Sequence, residues 1–456
     1  LERPLLPPQF RFNWSSPLVL SPNNPNTLYF GGNYLFKSVD RGENWRIISP
    51  DLTANDPKWR NPSKSGYLTN SVTGGENHFT IITVAESPKN EALVWAGTDD
   101  GFLHVSRDGG VNWAEVGQNI PALDQRIWVS RVAPSAFEEG RCYITLDNHR
   151  YDDMKPYVFV TEDYGMTWKN ITGNLPEDFS TYVIREDPIN PNLLFVGTEE
   201  AVHFSYNRGE EWIPLMAQLP TVAIHDLVIH PREGDLIAGT HGRSIWILDD
   251  LSPLRQLNDQ VIGKPLHLFE SRMATQWRRI NTGRKQPYFE FRGQNPTYGA
   301  SIQFWVGDPA IDSNTITVKD PFSDQKSTWM TTVQKGINRV YWNYRFPISS
   351  KAKDNLKKQL QMASKQLGMQ VSKEEDRTFL SKIEAELKQA DTAGELNEIR
   401  SLLVDRFSGY AGGRPFFGKK LQREVAPAGK YKVTLSSKGE EAHGWITVRA
   451  DPLLEK

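Results

Sequence analysis

Short apolar stretches separated by turn residues follow one another along the first half of the chain. In each repeating unit an apolar strand ends in a turn rich in Pro, Ser, Asp or Asn. A short strand ending in Gly and two further strands follow. This spacing is typical of small antiparallel sheets. The units run over 14–48, 79–116, 127–171, 182–215 and 222–250, and the last has no recognisable outer strand.

A pattern of the form Ser/Thr-x-Asp-x-Gly-x-x-Trp recurs in four of these units. Its copies contain Ser38, Asp40, Gly42 and Trp45; Ser106, Asp108, Gly110 and Trp113; Thr161, Asp163, Gly165 and Trp168; and Ser205, Asn207, Gly209 and Trp212. In a tight hairpin turn the short polar side chain bonds backbone amides, and Gly adopts a conformation that other residues resist. The Trp is expected to open the next strand and pack between neighbouring sheets. We therefore interpret these copies as structural Asp boxes, not as catalytic aspartates.

The repeated strands predict a mainly β fold that begins with an Asp-box β-propeller over residues 1–250. Five blades are recognisable. Two interpretations of the blade number stay open: five blades that close a ring by themselves, or five blades that are part of a larger ring. The Pro-rich segment 1–11 contains no recognisable blade, which favours the larger ring.

The pattern changes after residue 250 to isolated strands with alternating apolar and polar residues. The expected organisation is a linker over 251–263, the first part of a β-sandwich over 264–348, a helical insertion over 349–410 and the last sandwich strands over 411–456. The predicted strands cover 287–291, 301–306, 314–319, 338–344, 429–435 and 444–448. Because the strands on either side of the helices are too few to stand alone, an inserted helical segment is favoured over a separate helical domain.

The insertion is predicted to form two or three amphipathic helices. Two capping boxes mark helix starts, Ser372 with Glu375 and Thr392 with Glu395, each ahead of apolar residues at helical spacing.

Charge and composition exclude several classes of protein. Lys and Arg number 53 and Asp and Glu 55, a formal charge of −2 that argues against a nucleic-acid or anionic-membrane binder. No apolar run is long enough to span a bilayer, and the first residues lack the pattern of a signal peptide. The single cysteine, Cys142, excludes an internal disulfide and a Cys-rich metal site, and we expect it to be a buried small hydrophobe.

Several segments besides the boxes resemble one family. They are Arg11-Phe12-Asn13-Trp14, Ser49-Pro50-Asp51-Leu52-Thr53, Gly97-Thr98-Asp99-Asp100-Gly101, Gly239-Thr240-His241-Gly242-Arg243-Ser244, the stretches 293–300 and 336–342, and Pro427-Ala428-Gly429-Lys430-Tyr431. Together they resemble the C-terminal half of the bacterial sortilin-like Asp-box (BNR) repeat proteins. Those proteins are often labelled glycosyl hydrolases and are similar to both sortilin and the two-propeller xyloglucan-degrading enzymes. The resemblance implies an extracellular or periplasmic protein with a ligand-binding face. It also implies further blades, supplied by an N-terminal fragment or a partner chain.

Four carboxylates are weak catalytic candidates: Glu76, Asp99, Asp100 and Asp147. A glycosidase needs two carboxyl groups on either side of the scissile bond. Asp99 and Asp100 would point to opposite faces of a strand, so a plain turn is the alternative for this pair. Asp147 begins a long polar connection between strands of the third blade, which could equally be a solvated insertion.

The starts of the inner strands ring the channel of a propeller, where ligands usually lie. The candidate ligand-binding residues there and in nearby turns are Arg11, Asn13, Trp14, Glu76, His78, Trp128, Arg131, His149, Arg150, His225, His241 and Arg243. Such a set suits a polar ligand, with aromatic faces for a sugar or a peptide. Channel polar groups that only bind water, and a structural cap at His241 to Arg243, are the alternatives.

Other site types lack their signatures. The sequence has no spaced zinc ligands, no calcium loop, no Gly-rich phosphate loop and no Gly-x-Ser-x-Gly elbow. No metal or cofactor is therefore expected. A sialidase-type site is disfavoured because neither a Phe-Arg-Ile-Pro-like segment nor a Tyr–Glu pair is evident.

Three functions stay open. The first is an exported propeller that binds a peptide or a glycan at its channel face, as part of a larger chain or assembly. The second is a glycoside hydrolase of the two-propeller Asp-box type that acts on a polysaccharide. The third is a structural role, in which the chain supplies blades to an assembly. The third role predicts an exposed apolar flank on the first blade.

Overall fold

The computed structural model describes residues 10–56, 77–215, 218–278, 295–410 and 416–454. The chain is mainly β and divides into two compact units, Leu1–Asn258 and Asp259–Lys456. Glu76 and the predicted strand 287–291 lie outside the described residues. In the part of the chain that is described, no helix is both long and apolar enough to cross a membrane.

Among the described residues of the first unit, five small antiparallel sheets follow one another, each with its strands in chain order. The first sheet contains β1 (Leu18–Leu20), β2 (Leu28–Gly31), β3 (Leu35–Ser38) and β4 (Arg46–Ile47). The second contains β5 (Ile81–Ser87), β6 (Asn90–Thr98), β7 (Leu103–Ser106) and β8 (Ala114–Glu115). The third contains β9 (Trp128–Pro134), β10 (Cys142–Asp147), β11 (Tyr157–Thr161) and β12 (Lys169–Asn170). The fourth contains β13 (Thr181–Glu186), β14 (Leu194–Thr198), β15 (Val202–Ser205) and β16 (Ile213–Pro214), and the fifth has only β17 (Ile224–Ile229), β18 (Leu236–Thr240) and β19 (Ile245–Leu248).

The predicted box turns connect the third and fourth strands of four sheets. In the first turn, Ser38 Oγ accepts a hydrogen bond from the Gly42 amide at 2.8 Å, and Asp40 Oδ1 accepts one from the Asn44 amide at 2.9 Å. Gly42 has a φ of 94°, which glycine adopts without strain. The same bonds recur in the turns that begin at Ser106, Thr161 and Ser205. The box residues therefore stabilise turns.

The Trp of each box reaches a carbonyl of the preceding sheet, with one exception. The indole N–H of Trp113 donates to Ile48 O at 3.0 Å, that of Trp168 to Val116 O at 3.3 Å, and that of Trp212 to Ile171 O at 2.8 Å. Trp45 of the first sheet bonds only Gly42 O of its own turn, and it is 40% exposed. The exception lies in the sheet that has no preceding sheet among the described residues.

The inner strands β5, β9, β13 and β17 each contain a β-bulge at the same place. In β5, Ile81 pairs with Thr98 and Thr83 pairs with Gly97, so Ile82 between them has no partner in the register. The corresponding bulged residues are Ser130 in β9, Tyr182 in β13 and His225 in β17. A bulge breaks the regular alternation of a strand and redirects one side chain.

Two sheets in the second unit share one hydrophobic core. The three-stranded sheet has the order β20 (Leu266–Leu268), β22 (Ala300–Val306), β25 (Gly336–Trp342). The five-stranded sheet has the order β21 (Ala274–Gln276), β27 (Glu440–Ala450), β26 (Gly429–Ser437), β23 (Ser313–Lys319), β24 (Lys326–Thr332). β24 is not among the predicted strands, and its exposed residues alternate with half-buried ones as on an edge strand.

The segment predicted as a linker contains two short helices, α1 (Ser252–Gln256) and α2 (Asp259–Ile262). The predicted insertion forms three helices with a core of their own: α3 (Ser350–Gln370), α4 (Glu374–Gln389) and α5 (Ala393–Phe407).

One of the two predicted helix caps is wrong. The capping box of Thr392 with Glu395 is present at the start of α5. At the start of α4, however, Lys373 occupies the N-cap position, and no side chain makes a capping bond there. Three acidic residues in the first turn of α4 interact favourably with the helix dipole in place of the predicted Ser372 cap.

Candidate functional site

A cavity of about 690 Å³ lies at the ends of the inner strands of the first unit. All five sheets contribute to its lining, which consists of Ser15, Pro17, Leu18, Val19, Ile82, Trp128, Ser130, Arg131, Asp147, His149, Arg150, Tyr182, Glu199, Ala223, His225 and His241. The four bulged residues are all in this set. The bulges therefore bring one side chain from each of four inner strands to the same cavity.

In four of the sheets, the residue at the end of the second strand or just after it occupies an equivalent position. The amides of Asp99, Glu199 and His241 each donate to the carbonyl just before the inner strand, at 2.9 to 3.0 Å. Asp147 pairs with Trp128 at the corresponding position of the third sheet. Of these four residues, Asp147, Glu199 and His241 line the cavity.

Asp147 orients two of its neighbours in the cavity. Its side chain is only 3% exposed, and its Oδ1 lies 2.6 Å from His149 Nδ1. Its Oδ2 accepts a hydrogen bond from Arg150 Nη1 at 3.0 Å. Because Nδ1 is held by the carboxylate, His149 retains Nε2 for a ligand. The Arg150 guanidinium lies 3.8 Å from the centre of the Trp128 ring.

Tyr182 and Glu199 form a hydrogen-bonded pair at the same cavity. The Tyr182 hydroxyl donates to Glu199 Oε2. Burial, together with the hydrogen bond to the Glu199 carboxylate, raises the pKa of Tyr182. The Tyr182 ring stacks on His225 with the ring centres 4.6 Å apart, and His225 lies 5.0 Å from His241. Burial lowers the pKa of His225, and the neighbouring His241 lowers it further.

Arg131 and Arg185 share the carboxylate of Asp226, the residue after His225. Arg131 Nη2 lies 3.2 Å from Asp226 Oδ1, and Arg185 Nη2 lies 2.9 Å from the same oxygen. Arg131 also donates to the carbonyl of His225 at 3.1 Å. These contacts connect β9, β13 and β17, and Arg131 is the one of the three side chains that lines the cavity.

Six of the predicted ligand-binding residues therefore lie together in the cavity: Trp128, Arg131, His149, Arg150, His225 and His241. Their role in ligand binding stays a prediction. Tyr182 and Glu199 are not among the residues predicted from the sequence, where no Tyr–Glu pair is evident. Two signals could have found them. Tyr182 is an aromatic residue near the start of the inner strand of the fourth unit, as Trp128 is in the third, and Glu199 follows Gly-Thr as Asp99 does.

Other predicted residues lie outside the lining. Arg11 is buried and pairs with Asp51 at 2.8 Å, while its Nε donates to Phe79 O. Asn13 Nδ2 donates to Asn77 O, and Trp14 is 73% exposed. These contacts hold Arg11 and Asn13 in place outside the cavity, and their predicted role in ligand binding stays a prediction.

His78 and Arg243 are also outside the lining. His78 Nδ1 lies 3.3 Å from Asp99 Oδ2. The backbone of Arg243 closes the turn before β19, where its amide donates to Thr240 Oγ1 and its carbonyl accepts from the Trp246 indole.

Asp99 and Asp100 bond in different directions, as the turn interpretation predicts. Asp99 accepts hydrogen bonds from the Thr80 amide and hydroxyl, both at 2.8 Å. Asp100 accepts from Thr98 Oγ1 at 2.5 Å and from the Ala54 amide at 2.8 Å. Burial raises the pKa of Asp100. Neither carboxylate lines the cavity, and a catalytic role for either residue stays a prediction.

Among the described residues, no group of three or more His, Cys, Asp or Glu side chains could hold a metal ion. Cys142 is fully buried in β10, as expected from the sequence.

No model of a known protein family matches the chain. A curated relative, the oligoxyloglucan-reducing end-specific xyloglucanase of Emericella nidulans, is 27% identical over 164 residues, which is 34% of this chain. The chain spans 17% of the length of that relative. The relative is an enzyme, not a sortilin-like receptor.

Solved structures with partial similarity include the GH74 xyloglucanase from Xanthomonas campestris and the GH74 enzyme from Niastella koreensis. Each has a TM-score of 0.38 and 19% identity, and each alignment covers 51% of this chain and 36% of the other. A structure of YCF48 bound to D1 peptide has a TM-score of 0.29 and 13% identity, over 54% of this chain and 81% of the other.

Proposed function

We propose that the first unit contains the site of a glycoside hydrolase that acts on a polysaccharide. The observation that carries the proposal is the meeting of Asp147 and Glu199, from equivalent turns of neighbouring sheets, at one cavity with aromatic walls. Trp128 and Tyr182 offer aromatic surfaces to sugar rings, and the arginine and histidine side chains offer hydrogen bonds to hydroxyl groups.

Cleavage requires one group that protonates the leaving oxygen and another that attacks or stabilises the anomeric carbon. We assign the first role to His149, whose Nδ1 is held by Asp147. We assign the second to Tyr182, whose hydroxyl proton passes to Glu199 as the oxygen attacks.

In the first step the tyrosyl C–O bond forms, the glycosidic bond breaks and the leaving oxygen takes the proton of His149. In the second step water cleaves the tyrosyl bond, with His149 as the base, and Glu199 returns its proton to the Tyr182 oxygen. Two displacements at one carbon give net retention of configuration.

The name of the Emericella nidulans relative suggests xyloglucan as the first substrate to test. The experiment measures new reducing ends after incubation of the chain with xyloglucan or with an unbranched glucan. Wild type is expected to release reducing ends from xyloglucan, whereas Tyr182→Phe and Glu199→Gln are expected to be inactive.

Tyr151→Phe and Glu200→Gln are matched controls, because neither residue lines the cavity. A folded wild-type chain that releases no reducing ends would overturn the proposal, and so would Tyr182 and Glu199 variants that retain full activity.

Binding without cleavage is the second candidate, as in an exported sortilin-like propeller that holds a glycan or a peptide. It is favoured by the cavity groups that already have ionic partners, such as Asp147 with Arg150 and Arg131 with Asp226. A fixed polar lining of this kind suits recognition. Calorimetric binding of xyloglucan oligosaccharides without any release of reducing ends would favour this candidate.

An apolar row on the first sheet supports a role in a larger assembly. Leu18, Phe30, Phe36 and Ile47 are cross-strand neighbours. The equivalent row of the second sheet begins with Val84 and Ala96, which pack against the first sheet. In the first sheet, however, Leu18 is 63% exposed and Ile47 is 44% exposed.

The fifth sheet has a matching row on its other face. Val228, Ile237 and Ile247 are cross-strand neighbours, and Val228 is 48% and Ile247 58% exposed. We propose that further blades, from an N-terminal fragment or a partner chain, pack against these two rows in a larger ring. An extracellular or periplasmic location remains part of this proposal.

A further inference from the structure

A second concave site, here called the groove, lies in the second unit. It has a volume of about 370 Å³ and opens between β24 and β25, the edge strands of the two sheets. Its lining includes Ser327, Trp329, Trp342, Asn343, Arg345 and Arg423. The proposed hydrolase site in the first unit shares none of these residues.

Two tryptophans give the groove an aromatic floor. Trp342 is only 2% exposed and belongs to the core, and its indole N–H donates to Arg345 O at 3.3 Å. Trp329 is half-buried and packs against the same core from the edge strand. Trp342 is too deeply buried to touch a ligand, but it helps to fix Trp329, whose half-buried ring can stack on the apolar face of a sugar at little entropic cost.

Two arginines stand beside this floor with no acidic partner. Arg345 and Arg423 are both exposed, and Arg345 Nη1 donates to Arg423 O at 3.2 Å. The nearby Glu424 is bonded to Gln325 instead. Among the described residues, no carboxylate forms an ion pair with either guanidinium, and the residues that line the groove include no Asp or Glu.

The arginines determine the class of ligand. A guanidinium presents a planar fork of N–H donors that matches a carboxylate or a sulfate. Ser327 and Asn343 add groups that can bond sugar hydroxyls. A neutral glycan has no anionic group to pair with the two guanidinium groups. An acidic peptide has no sugar ring to stack on the aromatic floor.

We propose that the groove binds an acidic saccharide, a sugar chain that carries carboxylate or sulfate groups. The sugar ring stacks on Trp329, and its anionic group bonds Arg345 and Arg423. The second unit thus holds an anionic polysaccharide independently of the chemistry in the first unit.

The test is calorimetry of the full chain with four probes: a galacturonic acid hexamer, a sulfated galactose hexamer, a neutral glucose hexamer and a glutamate hexamer. At least one of the two acidic sugars is expected to bind, and the comparison between them identifies carboxylate or sulfate as the recognised group. Raising the salt concentration from about 50 to about 200 mM is expected to weaken this binding.

The variant is the double substitution Arg345→Met and Arg423→Met, with Lys430→Met as the matched control. Lys430 is an exposed cation of the same unit that does not line the groove. Loss of two charge-assisted contacts is expected to raise Kd at least about tenfold, while the control is expected to retain the wild-type Kd.

Three results would overturn the proposal. The first is that neither acidic sugar binds the folded chain at about 1 mM. The second is that the neutral hexamer or the glutamate hexamer binds as tightly as the acidic sugars and loses that affinity in the double variant, which places its binding in the groove. The third is that the double variant keeps the wild-type affinity. Because the readout is binding at the second unit, a failure of xyloglucan cleavage leaves this test unaffected.

Discussion

The hydroxyl of Tyr182 donates a hydrogen bond to the carboxylate of Glu199 at the cavity of the first unit. The two residues belong to adjacent strands of one sheet, Tyr182 in the bulge of β13 and Glu199 just after β14. In a regular strand Tyr182 would follow the alternation of its neighbours. The bulge instead directs its side chain into the cavity beside Glu199.

Asp147→Asn is predicted to lower the turnover of xyloglucan by about 10² to 10⁴-fold. An amide can no longer accept the Nδ1 proton of His149 as a carboxylate does, so the general acid loses its orientation. Turnover is measured from reducing ends per folded molecule. Asp99→Asn is the matched control, because Asp99 holds the equivalent position of the second sheet outside the cavity. Equal losses in both variants would contradict the role of the Asp147–His149 pair.

The repeats allowed much of the first unit to be predicted from sequence, because each box turn is stabilised by bonds within eight consecutive residues. Both Ser38 and Asp40 make the bonds that their spacing predicts. The convergence of Asp147 and Glu199 could not be predicted, because it depends on the packing of two sheets.

The bulges could not be predicted from the sequence, because the same bulged position is occupied by residues as different as Ile82, Ser130, Tyr182 and His225. No residue type marks that position. The groove could not be predicted either, because Trp329 lies on β24, whose mostly polar residues show no alternation of apolar and polar positions in the sequence.

Thr392→Ala is predicted to lower the free energy of unfolding of the second unit by about 1 kcal/mol. The substitution removes the side-chain acceptor of the Glu395 amide at the start of α5. Ser372→Ala tests the cap that sequence analysis wrongly predicted, and it is expected to change the free energy by only a few tenths of a kcal/mol. Denaturant unfolding followed by helical circular dichroism measures both. A larger effect at Ser372 than at Thr392 would contradict the observed helix starts.

His104 is predicted to make the chain less stable in acid. Burial lowers the pKa of His104 to about 4 from its ordinary value of 6.5, and the buried Nδ1 has no hydrogen-bond partner among the described residues. As the pH falls from 6.5 towards 4, the unfolded chain takes up a proton that the folded chain does not. The free energy of unfolding therefore decreases in this window, by about 3 kcal/mol at most.

His104→Leu is expected to remove this part of the pH dependence. The measurement is denaturant unfolding at several pH values between 7 and 4, with His443→Leu as the control, since the His443 side chain is 50% exposed. If the His104 variant keeps the wild-type slope of stability against pH, the buried neutral imidazole is not its cause.

Leu18→Lys is predicted to leave the stability of the isolated chain within about 0.5 kcal/mol of wild type, because this side chain is 63% exposed at the end of the apolar row of the first sheet. Val84→Lys, at the equivalent position of the second sheet, is expected to cost more than about 3 kcal/mol, because Val84 is 5% exposed and a lysine there would be a buried, unpaired charge. Thermal unfolding separates the two variants.

The same two variants test whether further blades pack against the apolar row of the first sheet. If further blades cover it in the complete assembly, Leu18→Lys should reduce the binding of an apolar dye to the isolated chain and should also weaken the association with those blades, because the new charge would be buried in the interface. Dye fluorescence and co-purification with the blade-bearing polypeptide measure the two effects. A Leu18 variant that unfolds like the Val84 variant would instead mean that the row is already packed within this chain, and five sheets would then be sufficient for a closed ring.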